Sequence, residues 1–168
     1  MRHALIQTGL GEVTLVADRD ALVGVYFEHH WHKPADDTFG DRVEVTGDVL
    51  LTQVAAELDE YLDGTRTAFE VPVATRGTVF QEQVWALLRQ IPYGETTTYG
   101  DLAEQLGDRA RAYDVGRAVG RNPLCVIVPC HRVVGRDGRL TGYAGGLRRK
   151  HHLLELEEPS LVASGRLF

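Results

Sequence analysis

Only two cysteines, Cys125 and Cys130, occur in 168 residues. They are too few to staple a fold of this size, so the chain is expected to work reduced, in the cytoplasm. No apolar run approaches the roughly 18 residues of a helical membrane span, which excludes a membrane partner of that kind. The stretch from Met1 to Gly9 lacks an apolar signal core, so secretion is not expected. Positive charge is also short: 18 Lys and Arg stand against 24 Asp and Glu, a formal net charge of −6. Taken whole, that balance argues against a nucleic-acid binder. Hydrophobic residues at 43% and charged residues at 25% exclude a disordered or collagen-like chain and leave one ordinary domain or two small ones.

What is present is uneven. Residues 1–76 hold 6 basic and 14 acidic side chains, whereas residues 77–168 hold 12 and 10. Within 109–150 ten basic residues face only Asp114 and Asp137, a local excess of eight. A basic run is most simply a solvated face. The asymmetry nevertheless divides the chain into 1–76 and 77–168.

In the first part, residues 3–8, 12–17 and 21–27 alternate like strands, with Gly9, Gly11 and Asp18 to Asp20 as turns, which predicts an antiparallel meander. Residues 28–46 show no period and read as a loop. Val49, Leu50, Val54, Leu58, Tyr61 and Leu62 recur at helical spacing behind Asp48, a suitable N-cap, with Gly64 as the stop. Residues 69–73 suggest a short edge strand. His29, His30 and His32 lack the cysteine and carboxylate company of a structural zinc site, so they read as surface-loop histidines and no metal is expected.

In the second part, Thr78 and Gln81 form a capping box, followed by a stripe of Val79, Phe80, Val84, Leu87, Leu88 and Ile91. A short helix from Tyr99 to Leu106, a turn at Gly107 and a third helix from Asp108 to about Val119 make a helix-turn-helix. On the third helix Tyr113, Gly116, Arg117 and Gly120 share one face. Each internal glycine costs about 1 kcal/mol against alanine. Close approach of a nucleic acid, or of another helix, would account for them equally. The Asp137-Gly138 pair predicts a hairpin carrying Arg136 and Arg139, and a basic ribbon after a helix-turn-helix gives a winged-helix arrangement that favours DNA. A last helix runs from Leu147 to Glu158, before Pro159 and a loosely ordered tail.

Residues 124–128 read as a buried strand, in which Cys125 and Cys130, five apart, would point to opposite faces. Cys125 then reads as core. Cys130 follows Pro129, precedes His131 and has Arg132 nearby, an environment that favours the nucleophilic thiolate.

The sequence from Pro129 to Val133 resembles the active-site signature of the O6-alkylguanine-DNA alkyltransferases. Residues 91–96, Asn122-Pro123, residues 141–146 and Lys150 match in the same order, over 78–157. The first part matches only in general pattern. The resemblance implies an α+β fold, with a small ribonuclease-H-like antiparallel sheet plus helix followed by a mainly helical, winged-helix-like DNA-binding domain. It implies an enzyme without cofactor that binds double-stranded DNA containing O6-alkylguanine, flips the nucleotide and transfers the alkyl group irreversibly to Cys130. O4-alkylthymine is a further expected substrate. The protein is expected to be a monomer, with cooperative binding on DNA left open. His131 would take the thiol proton through a water, oriented by Glu157. Tyr99 would protonate the leaving base, and Asn122 would brace the reactive segment. Val133, Tyr143 and Ala144 would line the base pocket, with Tyr113, Gly116, Arg117, Arg121 and Arg136 on DNA.

One position departs from the resemblance. Where the family places an arginine in the recognition helix, this chain has Tyr113, followed by Asp114. An aromatic wedge is the expected substitute, with Asp114 paired to Arg111 or Arg117. Two rival readings are a regulatory winged-helix protein, against which Cys130 itself speaks, and a cysteine hydrolase using Cys130 and His131.

Overall fold

The computed structural model describes residues 1–160. Three strands, β1 (Arg2–Thr8), β2 (Gly11–Asp18) and β3 (Ala21–Phe27), form the predicted antiparallel meander, and β4 (Asp41–Arg42) adds parallel to β1 in the order β3-β2-β1-β4. The 28–46 segment is therefore more than a loop. It contains β4 and two short 3-10 turns, at Asp36–Phe39 and Val45–Gly47. Helix α1 (Val49–Leu62) starts where the Asp48 carboxylate accepts from the Leu51 amide at 2.9 Å. Its buried face of Leu51, Val54, Leu58 and Tyr61 packs with Ala4, Val13, Leu15 and Val25 of the sheet.

The second part holds α2 (Val79–Leu88), α3 (Tyr99–Gln105), α4 (Ala112–Gly120) and α5 (Leu147–Glu157), with β5 (Thr97–Thr98) parallel to β6 (Val133–Val134). The Thr78–Gln81 capping box forms, yet Val79 lies in the first turn with 79% of its surface exposed, outside the stripe assigned to it. Asp108 caps a 3-10 turn, Arg109–Arg111, that leads into α4. One apolar cluster runs through both parts of the chain. Backbone bonds reinforce the junction: Val25 N donates to Pro123 O at 2.8 Å and Leu22 N to Pro72 O at 2.9 Å.

Three predicted strands do not form. Of residues 69–73 only Val73 makes a bridge, to Leu22. The Asp137-Gly138 ribbon shrinks to a turn closed by Gly135 N to Arg139 O at 2.7 Å, and β6 pairs instead with β5. Residues 124–128 are a turn, with Val128 N donating to Leu124 O at 2.9 Å and Val126 at φ +72°. Apolar content gave burial correctly there, but a short apolar run carries no period with which to tell strand from turn. The tail read as loosely ordered lies, beyond residue 160, outside the described residues.

Candidate active site

The turn at 124–128 decides how the thiols meet. Asn122 braces it from within: its amide nitrogen donates to Val128 O at 2.8 Å and its carbonyl accepts from Leu124 N at 3.0 Å. The chain then enters a 3-10 turn, Cys130–Arg132, with Cys130 only 3% exposed. Cys125 and Cys130 do not diverge as on a strand; the turn sets the two thiols close enough to influence each other's ionisation. The neighbouring Cys125 thiol, with help from Asn122 and the charge of Lys150, holds the Cys130 thiol below its ordinary pKa against the opposing effect of burial. The Cys125 thiol, wholly buried beside it, is pushed well up. His30 is not a surface histidine: it is buried against Cys125, 3.9 Å from its sulfur, and burial lowers its pKa to about 4.

Behind Cys130 a buried carboxylate gathers three donor side chains. Glu157, at the end of α5, accepts from His131 Nε2 at 2.8 Å, from Arg132 Nε at 2.9 Å and Nη2 at 2.8 Å, and from the Tyr61 hydroxyl. Burial works against its charged form, yet these bonds hold its pKa at about 2. An ionised carboxylate only accepts, so His131 Nε2 carries the ring proton. Nδ1 is left as a lone-pair acceptor, and it is buried without a hydrogen-bond partner. Burial lowers the pKa of His131, keeping the ring neutral.

In front of Cys130 opens a cavity of about 240 Å³, walled by Trp31, Tyr99, Gly120, Thr141, Gly142 and Tyr143. Tyr99 donates to Thr141 O at 3.0 Å, and burial raises its pKa. Lys150 is fully buried and donates to three carbonyls, Val133 at 2.5 Å, Thr141 at 3.0 Å and Gly142 at 3.2 Å, with its pKa lowered by burial to about 8. It thereby ties the lip of the cavity to β6.

Sequence comparison agrees with this layout. Residues 79–159 match the 6-O-methylguanine DNA methyltransferase DNA binding domain, and residues 1–75 match its ribonuclease-like domain. The chain belongs to the 6-O-methylguanine DNA methyltransferase family. Similar relatives named methylated-DNA–protein-cysteine methyltransferase occur in Mycobacterium bovis, 39% identical over 100% of this chain and 99% of the relative, and in Methanosarcina barkeri, 46% identical over 96% and 99%. The crystal structure of Mycobacterium tuberculosis OGT in complex with DNA is similar at a TM-score of 0.85 and 37% identity, covering 100% of this chain and 99% of that one. The expected α+β fold, ribonuclease-like part followed by helical DNA-binding part, is the fold of this family.

The structure brings the 3-10 turn with Cys130 and His131, Glu157 at the end of α5, Asn122 and Tyr99 at the start of α3 around one cavity and the buried carboxylate behind it. Tyr143 and Ala144 do wall the cavity, but Val133 does not: it is wholly buried in β6, behind the thiol. Two contributors went unassigned in the sequence: Tyr61 looked like any apolar position of α1, and Trp31 lay in an aperiodic segment. Arg132, read as a cation favouring the Cys130 thiolate, instead gives its guanidinium to Glu157. The basic excess over 109–150 also proves a poor measure of surface charge. Arg132 and Lys150 are buried, and Arg149 stacks 4.7 Å from the Phe27 ring centroid while its Nε donates to Leu10 O. Arg109 pairs with Asp101 and Glu104, and Arg111 pairs with Asp114 at 3.4 Å. Arg117, Arg121, Arg136, Arg139 and Arg148 remain exposed and outside any salt bridge among the described residues.

The glycine face of α4 is open. A Cβ at Gly120 would meet nothing within 4 Å, and one at Gly116 would make only ordinary contact with the Tyr99 ring, at 3.6 Å. Among the described residues no packed helix accounts for these glycines, which leaves close approach from outside. Tyr113 stands on the same face, 77% exposed.

Proposed function

We propose that the chain repairs O6-alkylguanine in duplex DNA by moving the alkyl group to Cys130, once per molecule. The buried Cys130–His131–Glu157 alignment, with an unpartnered His131 Nδ1, is the observation that carries this reading. The Cys130 proton passes through a water to Nδ1, and the resulting imidazolium is stabilised by the Glu157 carboxylate. The thiolate attacks the alkyl carbon, a C–S bond forms and the C–O6 bond breaks. Tyr99 supplies a proton so that guanine leaves neutral. The thioether has no internal route back, so the reaction is stoichiometric and needs no cofactor. O4-alkylthymine presents the same alkyl–oxygen bond and is a second substrate of this reading.

A thiol that is 3% exposed cannot reach an atom inside a base stack, so the nucleotide must be extruded. The open face of α4, with Arg117 and Arg121 beside it and Arg136 on the nearby turn, supports DNA docking there. Mixing the protein with duplex DNA containing O6-methylguanine is expected to add one methyl group, located on the Cys130 peptide by mass spectrometry and absent in Cys130→Ala. An unmodified Cys130 in the folded protein would overturn the reading, and repeated turnover of a small ester would favour a hydrolase.

In the same reading Tyr113 is the wedge that fills the gap left by the extruded base. Tyr113→Ala is expected to slow methyl transfer from duplex DNA at limiting concentration by about tenfold, within the range of base–aromatic stacking. Its reaction with free O6-benzylguanine should be unchanged. Equal rates on duplex DNA would eliminate the wedge.

A further inference from the structure

Trp31 is one of the few large apolar side chains left exposed, at 65% of its surface. It is not stranded on a remote loop. Its backbone amide donates to Ala144 O at 3.0 Å, which fixes the 28–46 segment against the cavity wall. Its ring then borders two adjoining spaces: the 240 Å³ cavity that ends on Cys130, and an open groove of about 500 Å³ along α4 that also borders Tyr113 and Gly116. The ring lies at the edge of Gly142, 3.9 Å from where a Cβ would sit there. No aromatic ring shields it among the described residues; the aromatic contacts nearby join Phe27 to Tyr143 and Tyr26 to His30.

We infer that Trp31, contributed by the amino-terminal part of the chain, is the stacking wall that receives the purine of the alkylated nucleotide at the mouth of the Cys130 cavity. The inference rests on the alkyl-transfer reading and adds a specificity-determining residue to it. An aromatic face suits this position because stacking holds a flat base without dictating which substituent it carries. Tyr99 and the Thr141–Tyr143 lip occupy the other sides, and the α4 groove leads in from the surface. Trp31 touches base rather than phosphate. Its contribution is therefore largest for a free purine, which has no DNA backbone to hold it, and smallest in a duplex gripped by Arg117 of α4 and Arg121 just beyond it.

The test follows labelling of Cys130 by free O6-benzylguanine as a function of concentration, in the intact protein and in Trp31→Ala and Trp31→Phe. Because the Ala144 bond is made by the backbone, both variants keep the segment anchored. Trp31→Ala is expected to raise the half-saturating concentration about tenfold, in line with the loss of one stacking contact, while the saturating rate stays within about twofold. Trp31→Phe should recover most of the affinity. Methyl transfer from duplex DNA should change by less than about threefold. An unchanged half-saturating concentration in Trp31→Ala overturns the inference, as does a fall in the saturating rate alone. If the unaltered protein labels Cys130 from neither free O6-benzylguanine nor duplex DNA, the alkyl-transfer reading itself fails; if it reacts with duplex DNA but not with the free purine, the inference fails while that reading stands.

Discussion

Glu157→Gln is expected to lower the melting temperature at pH 7 by roughly 10 °C, from about 3–5 kcal/mol lost when one partner of a buried ion pair is removed. Glutamine keeps the shape and one acceptor but not the charge. The Arg132 guanidinium, with its other contact to Ile91 O at 2.7 Å, would be left buried without a counter-ion. The Glu157 carboxyl sits at about 2, against 4.5 for the ordinary group. Its stabilising contribution is therefore complete above 4.5 and is lost as the pH falls through 2, about 3 kcal/mol over that window. Melting curves of the two proteins should accordingly converge as the pH is lowered from 5 toward 2. Methyl transfer should also slow by about a hundredfold, since His131 loses the group that fixes its tautomer and stabilises its charged form. Equal melting temperatures at pH 7 would refute the argument.

Lys150→Met should act differently, with a smaller loss of stability and a large one in reactivity. Removing the ammonium strips a donor from the carbonyls of Val133, Thr141 and Gly142, at about 1–3 kcal/mol for each one left unsatisfied. It also relieves the cost of burying the charge, about 3 kcal/mol from the drop of the lysine pKa to about 8 from 10.5. Thr141 O keeps the Tyr99 hydroxyl, so about 2–6 kcal/mol is lost at the other two carbonyls against about 3 recovered, a net loss of at most about 3 kcal/mol. The thiol, however, loses a nearby cation, and each unit by which its pKa rises costs about tenfold in thiolate at pH 7. Labelling of Cys130 should be slower at neutral pH and recover as the pH is raised. For wild type, the depressed lysine makes stability rise with pH between about 8 and 10.5, where the unfolded chain holds the extra proton, and the methionine variant lacks that increment. A pH–rate profile superimposable on wild type would count against the role of Lys150.

The meander, α1 and the helix-turn-helix were legible because alternation, helical spacing and capping residues act locally. Asp48 and Thr78 cap as their side-chain chemistry dictates. The reactive dipeptide was legible through its neighbours Pro129 and His131. What stayed hidden depends on distant parts of the chain. The turn at 124–128 is set by Asn122 and by Val126 at φ +72°, neither of which an apolar run discloses. His30 is buried by the packing of its segment on Tyr26 and Cys125, and Trp31 is aimed by a bond to Ala144, 113 positions away in numbering. The basic excess over 109–150 overstated the surface charge for the same reason, because Lys150 and Arg132 spend their charge inside the protein.

The Tyr61 hydroxyl reaches Glu157 across 96 residues of sequence, from α1 to α5. Nucleophile and base thus come from one end of the chain, while a ligand of their carboxylate comes from the other. A cleaved chain that holds only the carboxy-terminal helices has its thiol but not the finished pocket around it. Readiness to react is therefore a property acquired last, when both ends have met, and substitutions in α1 can tune chemistry they never touch.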